Sequence, residues 1–277
     1  MALKDIMLVA DSSQETAATF DYAAALADEH GAHLIVFYPI PLLPPTMVMG
    51  IEYSTDWLAS VVDNLRQQGE SCRQRLEERA ARLGIPMEWR SDEGEPSRMA
   101  AEFSRYADIT VMTQRGGGHG REDTQSLTEF FMLESGRPVI QVPYIGAPAV
   151  PPRRIVVGWD GSRTAARALH DAMPLLIAAE HVELLGIHRE NHPDDAGEIA
   201  VIDISAHLAR HGVHVEAKVL VAENIEPAEM LLSHVSDSGA QLVVMGAYGH
   251  SRLRELVLGG MTRGMLQSMT VPVLMSH

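Results

Sequence analysis

The sequence predicts an α/β protein built from two tandem five-stranded parallel-sheet units, with helices on both faces of each sheet. Three observations lead there. Short apolar runs alternate with helical patterns along the whole chain, as expected when parallel strands are buried on both faces. The alternation is run through twice: Asp11-Ser12-Ser13 returns as Asp160-Gly161-Ser162, residues 108–113 as 241–246, and 137–141 as 271–275. Between the copies, residues 143–152 hold four prolines in ten positions, the composition of a linker of limited flexibility. The expected units are therefore 1–145 and 152–277.

In the first unit, residues 6–10 read as a buried strand ending at the cap-like Asp11. An Ala-rich helix spans 15–30, with Gly31 as its C-cap. A strand follows at 34–38. Residues 39–45 carry four prolines, which argues against regular structure there. Leu58, Val61, Val62, Leu65, Cys72, Leu76, Ala80 and Leu83 mark one face of a long helix over 57–83, closed by Gly84. A weak strand at 87–90, a helix at 96–106 and a strand at 109–112 come next. A polar loop at 113–124, a short helix at 127–134 and a strand at 139–142 complete the unit.

The second unit opens with the strand before Asp160. A helix is expected at 163–179 and a strand at 182–187. A helix at 195–211 ends at Gly212. Then come a strand at 213–221, a helix at 226–238, a strand at 242–245 and a last strand at 271–275.

Composition narrows the function. The chain has 277 residues, 46% of them apolar, enough for two cores. Its net charge is −15 and no basic stripe appears, which opposes binding to nucleic acid or to an anionic membrane. One cysteine, Cys72, leaves no disulfide framework. The first apolar run is too short for a signal peptide, and no window reaches the ~18 apolar residues of a membrane span. These features set the expectation of a cytoplasmic protein.

The sharpest functional signal lies after the strand at 242–245. Gly246 and Gly249 leave that strand. Gly259 and Gly260 then interrupt an apolar pattern at helical spacing, formed by Leu253, Leu256, Val257, Met261 and Met265. Adjacent glycines inside a helix cost about 1 kcal/mol each relative to Ala, so a new helix is placed from Gly260. Glycines at a strand end let backbone approach a ligand closely, and the helix N-terminus behind them presents free N–H groups. That arrangement suits a phosphate. Parallel sheets bind ligands outside the carboxyl ends of their strands, where Asp160 and Gly246 both lie.

Asp160-Gly161-Ser162 after the first strand, with Gly246-x2-Gly249-x9-Gly259 after the fourth, resembles the universal stress proteins. Their ATP-binding members carry G-x2-G-x9-G-[S/T] at this place. The resemblance covers the whole chain as two copies, and the ending Val271-Pro272-Val273-Leu274 adds to it. It implies the adenine-nucleotide alpha-hydrolase-like (Rossmann-like) fold in each half. The halves would pack as a pseudo-dimer, partly through their final strands. It further implies that Asp160 contacts the nucleoside and that Ile187 or His188 lines the base pocket. Gly246, Gly249, His250, Gly259, Gly260 and Thr262 would surround the phosphates of ATP or another adenine nucleotide, with or without Mg2+.

One departure stands in that motif. The family's Ser/Thr after the third glycine is Gly260 here, which leaves Thr262 to supply a hydroxyl. The N-terminal copy departs further. Gln125-Ser126 falls where Gly259-Gly260 would be, and Glu122 and Asp123 place two carboxylates where an anion would sit. That half is expected to hold no nucleotide.

The expected function is that of a stress-response protein. It would bind an adenine nucleotide in its C-terminal half and act through conformational change or an unnamed protein partner. The alternative is a nucleotide-free scaffold that kept the fold. Catalysis has little support. No Ser/His/Asp set and no Gly-Lys-[Ser/Thr] P-loop are present, so slow ATP hydrolysis is the most to expect. His207, His211 and His214 approach metal spacing, but Gly212 interrupts the helix, and no metal site is expected. The last strand, reaching the chain end, is expected at a sheet edge, where it would pair two copies into a homodimer.

Overall fold

The computed structural model describes residues 2–42, 55–114, 120–147, 150–189, 197–247 and 260–277. The first half runs β1 (Asp5–Val9), α1 (Thr16–His30), β2 (His33–Pro41), α2 (Thr55–Leu83), β3 (Met87–Gly94), α3 (Pro96–Ser104), β4 (Ile109–Thr113), α4 (Gly120–Ser135) and β5 (Val139–Val142). The second runs β6 (Arg154–Gly158), α5 (Arg163–Asp171), α6 (Met173–Ala178), β7 (His181–Arg189), α7 (Gly197–Arg210), β8 (Val215–Ala222), α8 (Pro227–Ser238), β9 (Leu242–Gly246), α9 (Gly260–Ser268) and β10 (Val273–Ser276).

The ten strands of the described residues join one sheet in the order β3-β2-β1-β4-β5-β10-β9-β6-β7-β8. Neighbours within each half are parallel. The halves meet where β5 and β10 run antiparallel, with Leu274 opposite Ile140. Strand period two then builds one core layer on each face. Ile6, Leu8, Val111, Ile140, Val157, Leu184 and Leu274 point towards α1, α2 and α5–α7. Met7, Val9, Met112, Val139, Val156, Leu185, Met245 and Met275 point towards α3, α4, α8 and α9. Both layers cross the seam, and the Arg153–Glu29 ion pair at 3.0 Å reinforces it.

Four sequence expectations are corrected. Pro39 and Pro41 lie inside β2. Phe37 O accepts the Ala10 N–H, so residues 37, 39 and 41 turn their backbone groups towards β1, which ends there. The missing proline N–H groups therefore break no ladder, and β2 continues against β3 to Pro41 opposite Gly94. The helix expected at 127–134 starts at Gly120, inside the expected polar loop. The helix expected at 163–179 is two helices, because Pro174 opens α6 just past the end of α5. Finally, β10 is no edge. It lies between β9 and β5 at the centre of the sheet, so the reason given for a homodimer through it falls.

Candidate functional site

The candidate site sits at the carboxyl ends of β6 and β9. β6 stops at Gly158, and the Trp159 N–H still bonds Leu185 O at 2.9 Å. The exposed Asp160 then turns the chain: its Oδ1 accepts the Ser162 N–H at 2.9 Å. Gly161 supplies the left-handed φ of 71° that this turn requires. The N-cap of α5 is Ser162, whose Oγ accepts the Ala165 N–H at 3.1 Å. Asp160 thus shapes the turn, and the capping falls to its neighbour.

Gly246, the last residue of β9, faces that same turn. A Cβ built there would lie 2.4 Å from Ala165 N and 2.5 Å from Thr164 C, both backbone atoms. Only glycine lets the first turn of α5 rest on the end of β9, and this contact brings the Asp160 turn to the start of the glycine loop. Ala247 is tied down immediately after. Its N–H bonds Ser276 O at 2.9 Å, and its carbonyl meets His277 Nδ1 at 3.2 Å.

Gly249, His250 and Gly259 lie outside the described residues. α9 starts at Gly260, as the glycine pair suggests, with no acidic residue in its first turn. Gly260 is exposed, and a Cβ there would meet nothing within 4 Å among the described residues. Thr262 is only 3% exposed, so its hydroxyl is covered while the N-terminal rim at Gly260 is open. Ile187 and His188 separate. Ile187 packs in the layer of α8 and α9, whereas His188 shares the α7 face with Gly186. Of the two, Ile187 lies on the side of α9.

Two positioning residues escaped the sequence reading. A Cβ on Gly264 would sit 2.7 Å from Ala228 Cβ, so this glycine sets how closely α9 packs on α8. Gln114, at the end of β4 in the other half, donates its Nε2 to Leu266 O at 2.7 Å and is 5% exposed. The only signal available was a lone glutamine beside a polar loop.

The corresponding place in the first half is built differently. Asp11 Oδ1 accepts the Ser13 N–H at 2.9 Å and the Thr16 hydroxyl at 2.6 Å. The buried Cys72 of α2 donates its thiol to Asp11 O at 3.3 Å, and burial pushes that thiol's pKa up. At the position matching Gly246 stands Thr113, whose hydroxyl donates to Thr19 Oγ1 at 2.8 Å.

Away from both crevices, a cleft of about 450 Å³ opens near the amino-terminal ends of β6 and β7. Arg154, His181, Lys218 and Asp237 line it, together with the Glu183–His234 pair. On α7 the His207 ring lies 4.7 Å from that of His211 and 5.4 Å from that of His170. Among the described residues no group of His, Cys, Asp and Glu is arranged to hold a metal ion.

A sequence model described as "Universal stress protein family" matches residues 2–143 and 152–277, nearly the whole chain. The chain is similar to the universal stress protein YxiE of Bacillus subtilis, at 29% identity over 44% of this chain and 96% of that one. It is also similar to the universal stress protein Slr1230 of Synechocystis, at 28% identity over 44% of this chain and 41% of that protein's length. Among solved structures, a universal stress protein from Archaeoglobus fulgidus superposes over 98% of this chain and 95% of its own, with a TM-score of 0.75 and 16% identity. At that identity the likeness speaks for the fold.

Proposed function

The chain belongs to the universal stress protein family, and on that premise we propose that its C-terminal half, 152–277, binds one adenine nucleotide. The observation that carries the reading is the contact of Gly246 with the first turn of α5. It gathers the Asp160 turn, the end of β9 and the start of the glycine loop at the carboxyl ends of parallel strands. Asp160 would take the ribose or base by hydrogen bonding, and Ile187 would offer the apolar wall. The phosphates would lie at the N-terminus of α9, held by the backbone N–H groups from Gly260 and by the glycines and His250 of the loop. Mg2+ is an expected companion of the phosphates.

On this reading the site binds a nucleotide, with slow ATP hydrolysis the most to expect. The family's hydroxyl after the third glycine is absent, since Gly260 stands there. Occupancy would act on the layers that cross the seam, through Gln114 and α9, and so alter contacts with a protein partner in the cytoplasm. No helix among the described residues is long and apolar enough to cross a membrane. The N-terminal unit, 1–145, would serve packing and regulation.

A second reading, a nucleotide-free scaffold, draws on the covered Thr262 hydroxyl. Thermal unfolding with ATP, ADP and AMP separates the two. Nucleotide binding raises Tm with concentration, by about 2.7 kcal/mol of stability at a hundredfold excess over Kd. Asp160→Ala removes the rise. A Tm that ignores millimolar ATP leaves the scaffold.

A further inference from the structure

The two outer strands of the ten-stranded sheet are β3 and β8, and they are guarded very differently. β3, Met-Glu-Trp-Arg-Ser-Asp-Glu-Gly, carries three carboxylates against one arginine. Two of those carboxylates are already engaged: Glu88 with His33 and Arg90, and Glu93 with Arg66. Two copies of that edge would bring like charge together. β8, Val-Glu-Ala-Lys-Val-Leu-Val-Ala, carries one charge of each sign, and no ion pair involves Lys218 among the described residues. Glu216 reaches only His181, at 3.9 Å, with its side chain 72% exposed.

The backbone direction of β8 is fixed by its inner neighbour. His214 O accepts the Val182 N–H of β7, so residues 214, 216, 218 and 220 turn their groups inward. Val215, Ala217, Val219 and Val221 therefore present N–H and C=O groups outward, unpaired by any strand among the described residues. The side chains of Ala217, Val219 and Val221 form an exposed apolar stripe on the α7 face. Val219 is 37% and Val221 48% exposed.

We propose that a second copy of this chain pairs with β8, antiparallel, about a two-fold axis through Ala217. In this register Ala217 faces Ala217 of the second copy as a hydrogen-bonded pair, and Val215 faces Val219. Glu216 then lies opposite Lys218 on both sides of the axis, in the closer non-hydrogen-bonded positions. Centring on residue 216 or 218 instead opposes two like charges, and centring on Val219 leaves Lys218 facing Leu220. Of the registers centred on residues 216 to 219, only the one on Ala217 is self-complementary in charge, as a closed two-fold interface requires. A single edge-to-edge contact buries little area, so the dimer is of the weak, concentration-dependent class.

Sedimentation equilibrium of the full chain over a range of concentrations tests this. The wild type shows a monomer–dimer equilibrium. Glu216→Lys alone and Lys218→Glu alone each weaken association by about tenfold or more, since two attractive pairs become repulsive. Mixing those two variants restores a dimer, because each copy then sets two like charges opposite the two opposite charges of the other. A wild type that stays monomeric at every concentration overturns the proposal. So does a dimer whose dissociation constant ignores both reversals.

Discussion

The two carboxyl-end crevices of this molecule began from the same plan and ended with different contents. In the C-terminal half, β9 ends in Gly246, and α5 rests directly on that residue. In the N-terminal half, β4 ends in Thr113, whose side chain fills the equivalent place and bonds Thr19. The N-terminal helix yields accordingly. Thr16 stands five residues past Asp11, while Thr164 stands four past Asp160. α2 adds a lid over Asp11 through Cys72, and α2 has 29 residues where α7 has 14. The helix after each loop differs too: α4 opens with Glu122 and Asp123, α9 with Gly260 and no acid in its first turn. The residue at the end of the fourth strand thus decides what occupies the place beside it: the backbone of α5 against Gly246, a side-chain hydroxyl pair at Thr113.

The largest effect is expected where a Cβ is added at the end of β9. Gly246→Ala forces its methyl against Ala165 N and Thr164 C, and costs about 3 kcal/mol in urea unfolding, the upper range for overpacking. A cost under about 0.5 kcal/mol, the level of an ordinary surface change, would break the comparison. The converse change is milder. Thr113→Val keeps the volume and leaves Thr19 Oγ1 without its donor, costing about 1 kcal/mol while nucleotide affinity stays unchanged. Gly260→Ser sharpens the comparison from the ligand side. Its Cβ meets nothing within 4 Å among the described residues, so stability moves by less than about 0.5 kcal/mol. The added hydroxyl would tighten ATP binding by up to about tenfold in a titration, the worth of one charge-assisted hydrogen bond.

The smallest effect is on pH. Burial, with the charges of His211, His170 and Arg210, lowers the pKa of His207 in the folded protein. The unfolded chain therefore takes up the proton first. This part of the stability is complete above the ordinary imidazole value of about 6.5 and is lost as pH falls below it. His207→Gln should flatten the acid side of the stability–pH curve below about 6.5, as measured by urea unfolding at a series of pH values.

Periodicity and punctuation made most of the fold legible. The apolar runs located all ten strands, and the Gly259-Gly260 pair located the start of α9. Local rules failed where tertiary context decided. Pro39 and Pro41 read as breakers because the sequence does not show that β1 ends beside them. β10 read as an edge because the seam with β5 joins residues far apart in sequence. In the site, Asp160 and Gly246 were legible as strand-end residues. The reason Gly246 must be glycine was not, since Thr164 and Ala165 approach it only in the folded chain. Gln114 and Gly264 act across elements, so no local pattern marked them.

Titration calorimetry of the full chain with ATP tests the central claim most directly. The account predicts one site per chain, abolished by Asp160→Ala and retained in Asp11→Ala. Two sites per chain, no heat at millimolar ATP, or binding lost in Asp11→Ala and kept in Asp160→Ala would contradict it.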